Sequence, residues 1–466
     1  AYVSWVLNPC RELLPEVQSA ALEQLQKETT RSVGSAREHL KVRYEILTQD
    51  LKDFEHAFEA ADIAPLLTAL DKEFKMLRAG LDNDIPHSKW RDYVSNIVPG
   101  RAKTGFPHDL ADVPPAERTA LPGSVLYSPL AAMIANMDGK RDLAEIIRRT
   151  EHEICRELPE EEIKSLVRAV FYLARHGYIS LGDFSGITKE DIVKSLRQCG
   201  INEGDCIVVH SALGGLGLIE KSAVTVIEAL KETVGNKGVF LLPSFTYPFV
   251  FLDEPNRSSL YRPFDPDNLK NIWTGALPRT LLAKYPDAVR SRHITHSWCG
   301  LGAKAQELCE AHLFNDPPMG ERSPLEFARQ KGAKIVFIGC TVTDTTFLHL
   351  LEDRLDLPGI GTALCKVRKS NGYCECVAVP KNLPGDRDFY RGTEESIRFF
   401  QAAAAEGLKI LHAPLGLGEV SCIAMTELYE IGMKLLKNDP CLLLTMPSKP
   451  QTLCDLSCTR LQKQGK

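Results

Sequence analysis

Along the first third of the chain, apolar residues recur at mixed spacings of three and four with charges between them, as at Leu51, Phe54 and Phe58, then Leu66, Leu67, Leu70 and Phe74. That period predicts helices over residues 16–34 and 35–82. The pattern breaks at Asp84, where Pro86, Pro99, Pro107, Pro114, Pro115 and Pro122 punctuate an irregular connection. Helical spacing then returns in three short stretches, 128–137, 143–150 and 160–175, with an Asp138-Gly139 turn after the first and an extended run from Gly177.

The grammar changes after residues 182–186. Thr188 and Asp191 form a capping pair for a helix running to Gln198, because a Thr hydroxyl satisfies a free amide of the first turn. Short apolar runs at 206–210, 238–243 and 334–339 read as strands. Helical stretches fall at 223–234, around 281–284, and at 346–354, 394–405 and 423–436. Ser370-Asn371-Gly372 lies between extended arms over 366–380, a hairpin signal. Alternation of this kind predicts a layered α/β domain of roughly 270 residues, preceded by a mostly α-helical N-terminal region. The expected domains are 1–123, 124–185 and 186–466.

Composition narrows the function. The 466 residues are 44% hydrophobic and 25% charged, which suits a globular chain of two or three domains. With 56 Lys and Arg against 61 Asp and Glu, the net charge of -5 argues against nucleic acid as a partner. No apolar run reaches the ~20 residues of a membrane span. Ala1 to Asn8 lacks the basic start of a signal peptide, so a soluble, cytoplasmic protein is expected. The 14 cysteines are scattered and include no C-x-x-C. Cys374 with Cys376, and Cys454 with Cys458, have no second pair or histidines at zinc spacing. Reduced, mostly buried thiols are expected, and no metal.

Familiar catalytic motifs fail one by one. Gly214 to Ser222 looks like a phosphate loop but has no Gly directly before its Lys. Gly416-Leu-Gly418 lacks the third glycine of a dinucleotide site, and neither Gly-x-Ser-x-Gly nor H-E-x-x-H occurs. What remains is His349 and Glu352, three apart on the expected 346–354 helix. Positions three apart share a face, so the carboxylate can fix one imidazole nitrogen and raise the basicity of the other, as a general base requires. An amphipathic helix can also carry that pair with no chemistry attached.

The surrounding text resembles the aminoglycoside 3-N-acetyltransferase family. Ile187-Thr-Lys-Glu-Asp-Ile192 and the Gly204-Asp-Cys-Ile-Val-Val-His-Ser-Ala-Leu213 strand and loop are similar to the family's opening, "GD-x-hydrophobic-VHSSL". Gly238-Val-Phe-Leu-Leu-Pro-Ser-Phe-Thr246 resembles its "GTLLMPTFT" strand, and Arg290-Ser-Arg-His-Ile-Thr-His-Ser297 its "RS-x-HP-x-x-S" signature. Gly320-Glu-Arg-Ser-Pro-Leu325, Lys334-Ile-Val-Phe-Ile-Gly339 and Thr346-Phe-Leu-His-Leu-Leu-Glu352 follow in family order. The six blocks span 187–358, with a looser fit to about residue 444.

The resemblance implies transfer of an acetyl or other acyl group from acetyl-CoA, or another acyl-CoA, to a primary amine. His349 and Glu352 would act together in deprotonating that amine, since an ammonium cannot attack a thioester. His210, Ser211, Ala212 and Leu213 would form the cofactor wall, meeting pantetheine or phosphate, with Ser297 beside them. Arg290, Ser291 and His293 either bind phosphate or hydrogen-bond loop backbone. Ile294 replaces the signature proline, and Asp353-Arg-Leu-Asp-Leu-Pro358 lacks the family's basic follow-on, so the acceptor extends to aminoglycoside-like, peptide or other natural-product amines. Tyr127-Ser-Pro-Leu130, Met137 to Ile147 and Leu166 to Ile179 are similar to PqqD-like winged-helix modules, which implies a peptide or carrier-protein partner. A carrier-protein thioester donor, a non-catalytic scaffold and a homo-oligomer all stay open.

Overall fold

The computed structural model describes residues 89–443 apart from 104–109, 116, 124–127, 155, 247–263, 266, 315, 356–359, 369–373 and 383–392, together with seven positions before residue 89. The helix expected over 16–34, all but seven positions of that expected over 35–82, the Ser370-Asn371-Gly372 turn and the Cys454/Cys458 pair lie outside the described residues. The chain divides into two compact units, 1–184 and 185–466.

In the first unit, helices α1 (Lys89–Val94), α2 (Pro129–Ala135), α3 (Leu143–Glu153) and α4 (Glu160–Arg175) enclose Leu130, Met133, Ile146, Ile147, Leu166 and Val170. Ser128 caps α2, accepting from Ala131 N, and Pro129 follows at the first helical position. Strand β1 (Gly100–Arg101) pairs antiparallel with β2 (Ile179–Ser180). The extended run after α4 thus finds its partner upstream of the three helices. Buried Glu151 accepts both Nη atoms of Arg91 and Leu158 N, so its charge is paired and hydrogen-bonded.

The second unit begins with α5 (Lys189–Gln198), where Thr188 and Asp191 make the expected capping box. It continues through β3 (Cys206–Ser211), α6 (Ala223–Val234), β4 (Val239–Pro243), α7 (Ala276–Lys284), β5 (Val289–Arg290) and β6 (Trp298–Gly302). Next come α8 (Ala305–Glu310), α9 (Pro324–Gln330), β7 (Lys334–Ile338), α10 (Phe347–Arg354), and a separate hairpin of β8 (Ile360–Arg368) and β9 (Cys374–Asn382). It closes with α11 (Arg398–Ala405), β10 (Ile410–Leu415), β11 (Gly418–Ala424) and α12 (Met425–Asn438).

Seven strands form one sheet in the order β10-β11-β7-β3-β4-β6-β5. Only β7-β3-β4 is parallel, and antiparallel pairs flank it on both sides. Alternation along the strands sends Ile207, Val209, Val336 and Ile338 to one core with α5 and α6. Val208, Ile335 and Phe337 go to the other, with Trp298, Phe347, Leu350 and Leu351. Gly416-Leu-Gly418, which superficially suggests a nucleotide loop, is the tight β10–β11 turn. Gly416 has φ +59 there, and a Cβ would lie 2.2 Å from Leu216 O.

Helix α10 differs from the amphipathic expectation: every residue from Phe347 to Glu352 is buried. It is anchored from α9 by Glu326, itself buried. Glu326 accepts from Arg329 Nε and Nη2 at 2.8 Å each, from Gln330 at 3.0 Å and from Arg354 Nη2 at 2.8 Å. Burial alone would raise its pKa, but the bonds from Arg329 and Gln330, with the Arg329 and Arg354 charges, outweigh it and keep the carboxylate ionised. Glu326→Ala should cost about 3 kcal/mol, because it strands three cationic or amide donors and frees α10 at its C-terminal end. Urea unfolding of wild type and variant measures this, and a midpoint unchanged within error would show that Glu326 does not anchor the helix.

Candidate active site

The parallel triplet brings three strand ends together: His210 and Ser211 on β3, Pro243 and Ser244 at the end of β4, and Ile338 to Cys340 at the end of β7. In open α/β sheets this is the edge where ligands bind. Ala212 N donates to Ile338 O at 3.0 Å, and the 212–216 loop lies against Gly339, whose φ of +69 and contacts with Leu216 and Ala212 leave no room for a side chain. Across β4, Thr274 Oγ1 donates to Pro243 O and accepts from Phe245 N at 3.2 Å, fixing the 273–275 segment over the strand end. The result is a cleft of about 430 Å³, lined on one side by His210, Ser211 and Ala212 and on the other by Pro243, Trp273 and Thr274, with Cys340 and Asp344 also bordering it. Burial raises the pKa of Asp344, and that of the Cys340 thiol to about 12, which keeps the thiol protonated.

His349 and Glu352 meet as the spacing predicts. Nδ1 of His349 lies 2.6 Å from Glu352 Oε2, with the residues 6% and 3% exposed. A carboxylate only accepts, so Nδ1 carries the proton and Nε2 holds the lone pair. Neither residue lines the 430 Å³ cleft. A run of ring contacts bridges the distance. His210 stands edge-on to Trp298 at 6.4 Å, Trp298 edge-on to Phe245 at 5.3 Å, and Phe245 tilts against His296 at 4.8 Å. His296 in turn lies close enough to His349 for the two imidazoles to interact.

The 290–297 segment resolves the choice between phosphate and backbone for its histidine. His293 Nε2 donates to Asp316 O at 2.9 Å, while Nδ1 accepts from Thr295 N and His296 N at 3.2 and 2.9 Å. Both nitrogens hold loop backbone. Ser291 Oγ bonds His312 Nδ1 and accepts from Trp298 N. Ser297 is fully buried, donates to Ser244 O at 2.8 Å and accepts from Arg290 Nε at 3.0 Å. Those contacts position Arg290, whose Nη2 also reaches Ser244 O. Leu213 opens a 3₁₀ turn and packs on the α5–α6 core. The sequence does not single out Phe245, Trp298 and Phe337, because aromatic contacts across strands leave no spacing rule.

Four of these histidines are held neutral. Burial lowers His210 and His293 to about 4 and His312 to about 2, and it takes His296 well below its ordinary value with help from the neighbouring imidazoles. In the unfolded chain each titrates near about 6.5, so unfolding takes up protons below that pH. Stability contributed this way is full above pH ~7 and falls as pH drops toward 4, by about 1.4 kcal/mol per pH unit for each proton. Urea unfolding at pH 7.5, 6.5 and 5.5 should show a loss of several kcal/mol, beginning before the carboxylates titrate. A flat profile over that interval would mean the rings are not neutral in the native state.

The sequence model described as aminoglycoside 3-N-acetyltransferase matches residues 208–437. Aminoglycoside N(3)-acetyltransferase VII of Streptomyces paromomycinus is 30% identical over 182 residues, covering 37% of this chain and 62% of that protein. Aminoglycoside N(3)-acetyltransferase III of Serratia marcescens is 30% identical over 216 residues, covering 41% of this chain and 80% of that protein. The structure of aminoglycoside acetyltransferase AAC(3)-IVa overlays 60% of this chain and 99% of its own at 21% identity, with a TM-score of 0.46. The chain thus spans less than two thirds of the Streptomyces relative, and residues 1–207 lie outside the matched segment. With the family model matched within the second unit and the Serratia relative 30% identical over 80% of its own length, this chain belongs to the aminoglycoside 3-N-acetyltransferase family.

Proposed function

We propose that the protein is an N-acetyltransferase that moves an acetyl group from acetyl-CoA to a primary amine, with His349 as general base and Glu352 as its orienter. The observation that carries this is the buried 2.6 Å bond between Nδ1 and Oε2, which leaves the lone pair of the imidazole on Nε2. Family membership supports the same reaction.

Acetyl-CoA supplies an activated acyl carbonyl and a thiol leaving group. Nε2 of His349 takes the proton from the amine as the nitrogen closes on that carbonyl. Glu352 stabilises the resulting imidazolium, and the proton returns to the departing sulfur as the C–S bond breaks and the amide forms. In this reading the His210–Leu213 loop and the cleft it lines hold a part of the donor remote from the thioester, since neither His349 nor Glu352 lines that cleft; the uncharged walls of Pro243, Ala212 and Thr274 suit an amide-bearing arm. Ser297 serves at one remove, through Arg290. The acceptor is a small-molecule amine; the relatives' names make an aminoglycoside the first to try. A cytoplasmic location belongs to the same proposal.

His349→Ala should lower kcat by about 10²–10⁴ while leaving CoA affinity nearly unchanged, because a base is lost and no donor contact is. Glu352→Gln should fall between the two. Thiol release with a panel of amines gives the rates and calorimetry the affinities. A wild type that releases no thiol with any amine, or a His349→Ala variant as active as wild type, would sink the assignment.

A further inference from the structure

Cys374 and Cys376 stand apart from the other thiols. Among the described cysteines they alone are exposed. Cys199, Cys299, Cys309, Cys365 and Cys422 are buried. Burial pushes Cys199 up to about 11 and Cys309 and Cys422 up to about 12, so those thiols stay protonated and inert. Within β9 only Glu375 separates the exposed pair, so alternation puts both cysteines on one face and Glu375 on the other. The register with β8 sets Lys366 opposite Cys376 and Arg368 opposite Cys374. Directly opposed residues of an antiparallel pair share a face, with Cβ atoms about 4.5–5.5 Å apart. The reverse face carries Cys365, Val367 and Val377, which pack with Phe264 and Ile294. The hairpin thus keeps one face for a small apolar core and gives the other two thiols and two cationic positions.

We infer that Cys374 and Cys376 form a thiol–disulfide exchange site for small anionic disulfides of the glutathione class. Exposure admits the reagent, and the cationic positions across the ladder attract its carboxylates. A thiolate sulfur of the pair attacks one sulfur of the disulfide. The protein–glutathione S–S bond forms as the old S–S bond breaks, and the thiol proton passes through solvent to the departing glutathione thiolate. Protein sulfur is oxidised and glutathione sulfur reduced in balance. Strand geometry then sets the fate of the adduct. Residues two apart in a strand have Cα atoms about 6.8 Å apart and parallel Cβ directions. A disulfide needs Cβ atoms roughly 3.5–4.5 Å apart. The second cysteine therefore cannot displace the glutathione while β9 stays paired with β8, and the adduct lasts until an external thiol removes it. The site is separate from His349 and Glu352 and does not depend on the acetyl-transfer reading.

Reagent charge tests the site. The reduced full chain is treated at low ionic strength with glutathione disulfide, which is anionic, hydroxyethyl disulfide, which is neutral, and cystamine, which is cationic. Mass mapping of non-reduced peptides locates the adducts. Glutathione should appear on the peptide holding Cys374 and Cys376 before any peptide holding a buried cysteine. Lys366→Glu combined with Arg368→Glu should slow glutathione disulfide there by about 3- to 10-fold relative to hydroxyethyl disulfide, and speed cystamine, since exposed charges act modestly but reverse sign. An adduct missing from this peptide in the native chain, though formed after denaturation, would overturn the inference. So would an internal Cys374–Cys376 disulfide in place of the mixed one, or a ratio between reagents that charge reversal leaves unchanged. Should the charge-reversed variant not fold, added salt on the wild type decides. Salt should slow glutathione disulfide relative to the neutral reagent, and an unmoved ratio refutes the site.

Discussion

A carboxylate buried beside an imidazole constrains everything around it. Glu352 sits among Phe347, Leu348, Leu350 and Leu351, where an unpaired charge would cost several kcal/mol. Its 2.6 Å bond to His349 is therefore a structural requirement as well as a chemical opportunity. Helix α10 has to be held to a fraction of an ångström for that bond to persist. Three tethers do this: Glu326 takes Arg354 at the C-terminal end, Asp353 takes Met319 N, and α12 approaches so closely that a Cβ on Gly432 would lie 2.4 Å from Leu351 Cδ1. Exposed ion pairs contribute little to stability, but Glu326 is buried and ties two helices that a sheet alone would not register against each other.

The sheet contributes the other half of the geometry. Three parallel strands in a sheet of otherwise antiparallel neighbours end together at one edge, and that edge collects His210, Ser211 and the 273–275 segment around a cleft. The polar groups there follow one rule, that a buried imidazole stays neutral and finds partners. His293 finds them in backbone for both nitrogens and His312 in Ser291 for Nδ1, while Nε2 of His312 and of His210 finds none among the described residues. Neutrality matters for packing too: stacked His293 and His312 rings, with centroids 4.5 Å apart, could not both carry charge.

Local signals were readable where one residue does one job. Thr188 with Asp191 names a helix start, because capping depends on spacing alone. The His349/Glu352 pair was legible for the same reason. Strands β10 and β11 were not. Pro414 in β10 argues against a strand, and only its place at the sheet edge, where no further neighbour needs its missing N–H, makes it acceptable. Ile423, expected at the start of the last helix, instead lies in β11 opposite Ile335, and the helix begins at Met425. The ring contacts from His210 to His296 join three segments far apart in sequence, around residues 210, 245 and 296–298, which no periodicity encodes.

The departure at Ile294 can now be placed. The side chain is fully buried with Phe264 and Cys365, and its carbonyl accepts from Thr246 Oγ1. Phe264 also pairs with Val367 of β8, so the replacement for the signature proline packs the 290–297 turn onto the β8–β9 hairpin. A proline would fix φ and remove an N–H; a branched aliphatic instead fills volume and leaves the turn's shape to the His293 bonds that already hold it. The backbone constraint lost with the proline is thus supplied by a buried imidazole, and the gain is a contact to a hairpin outside the main sheet. That arrangement keeps His296 against Phe245.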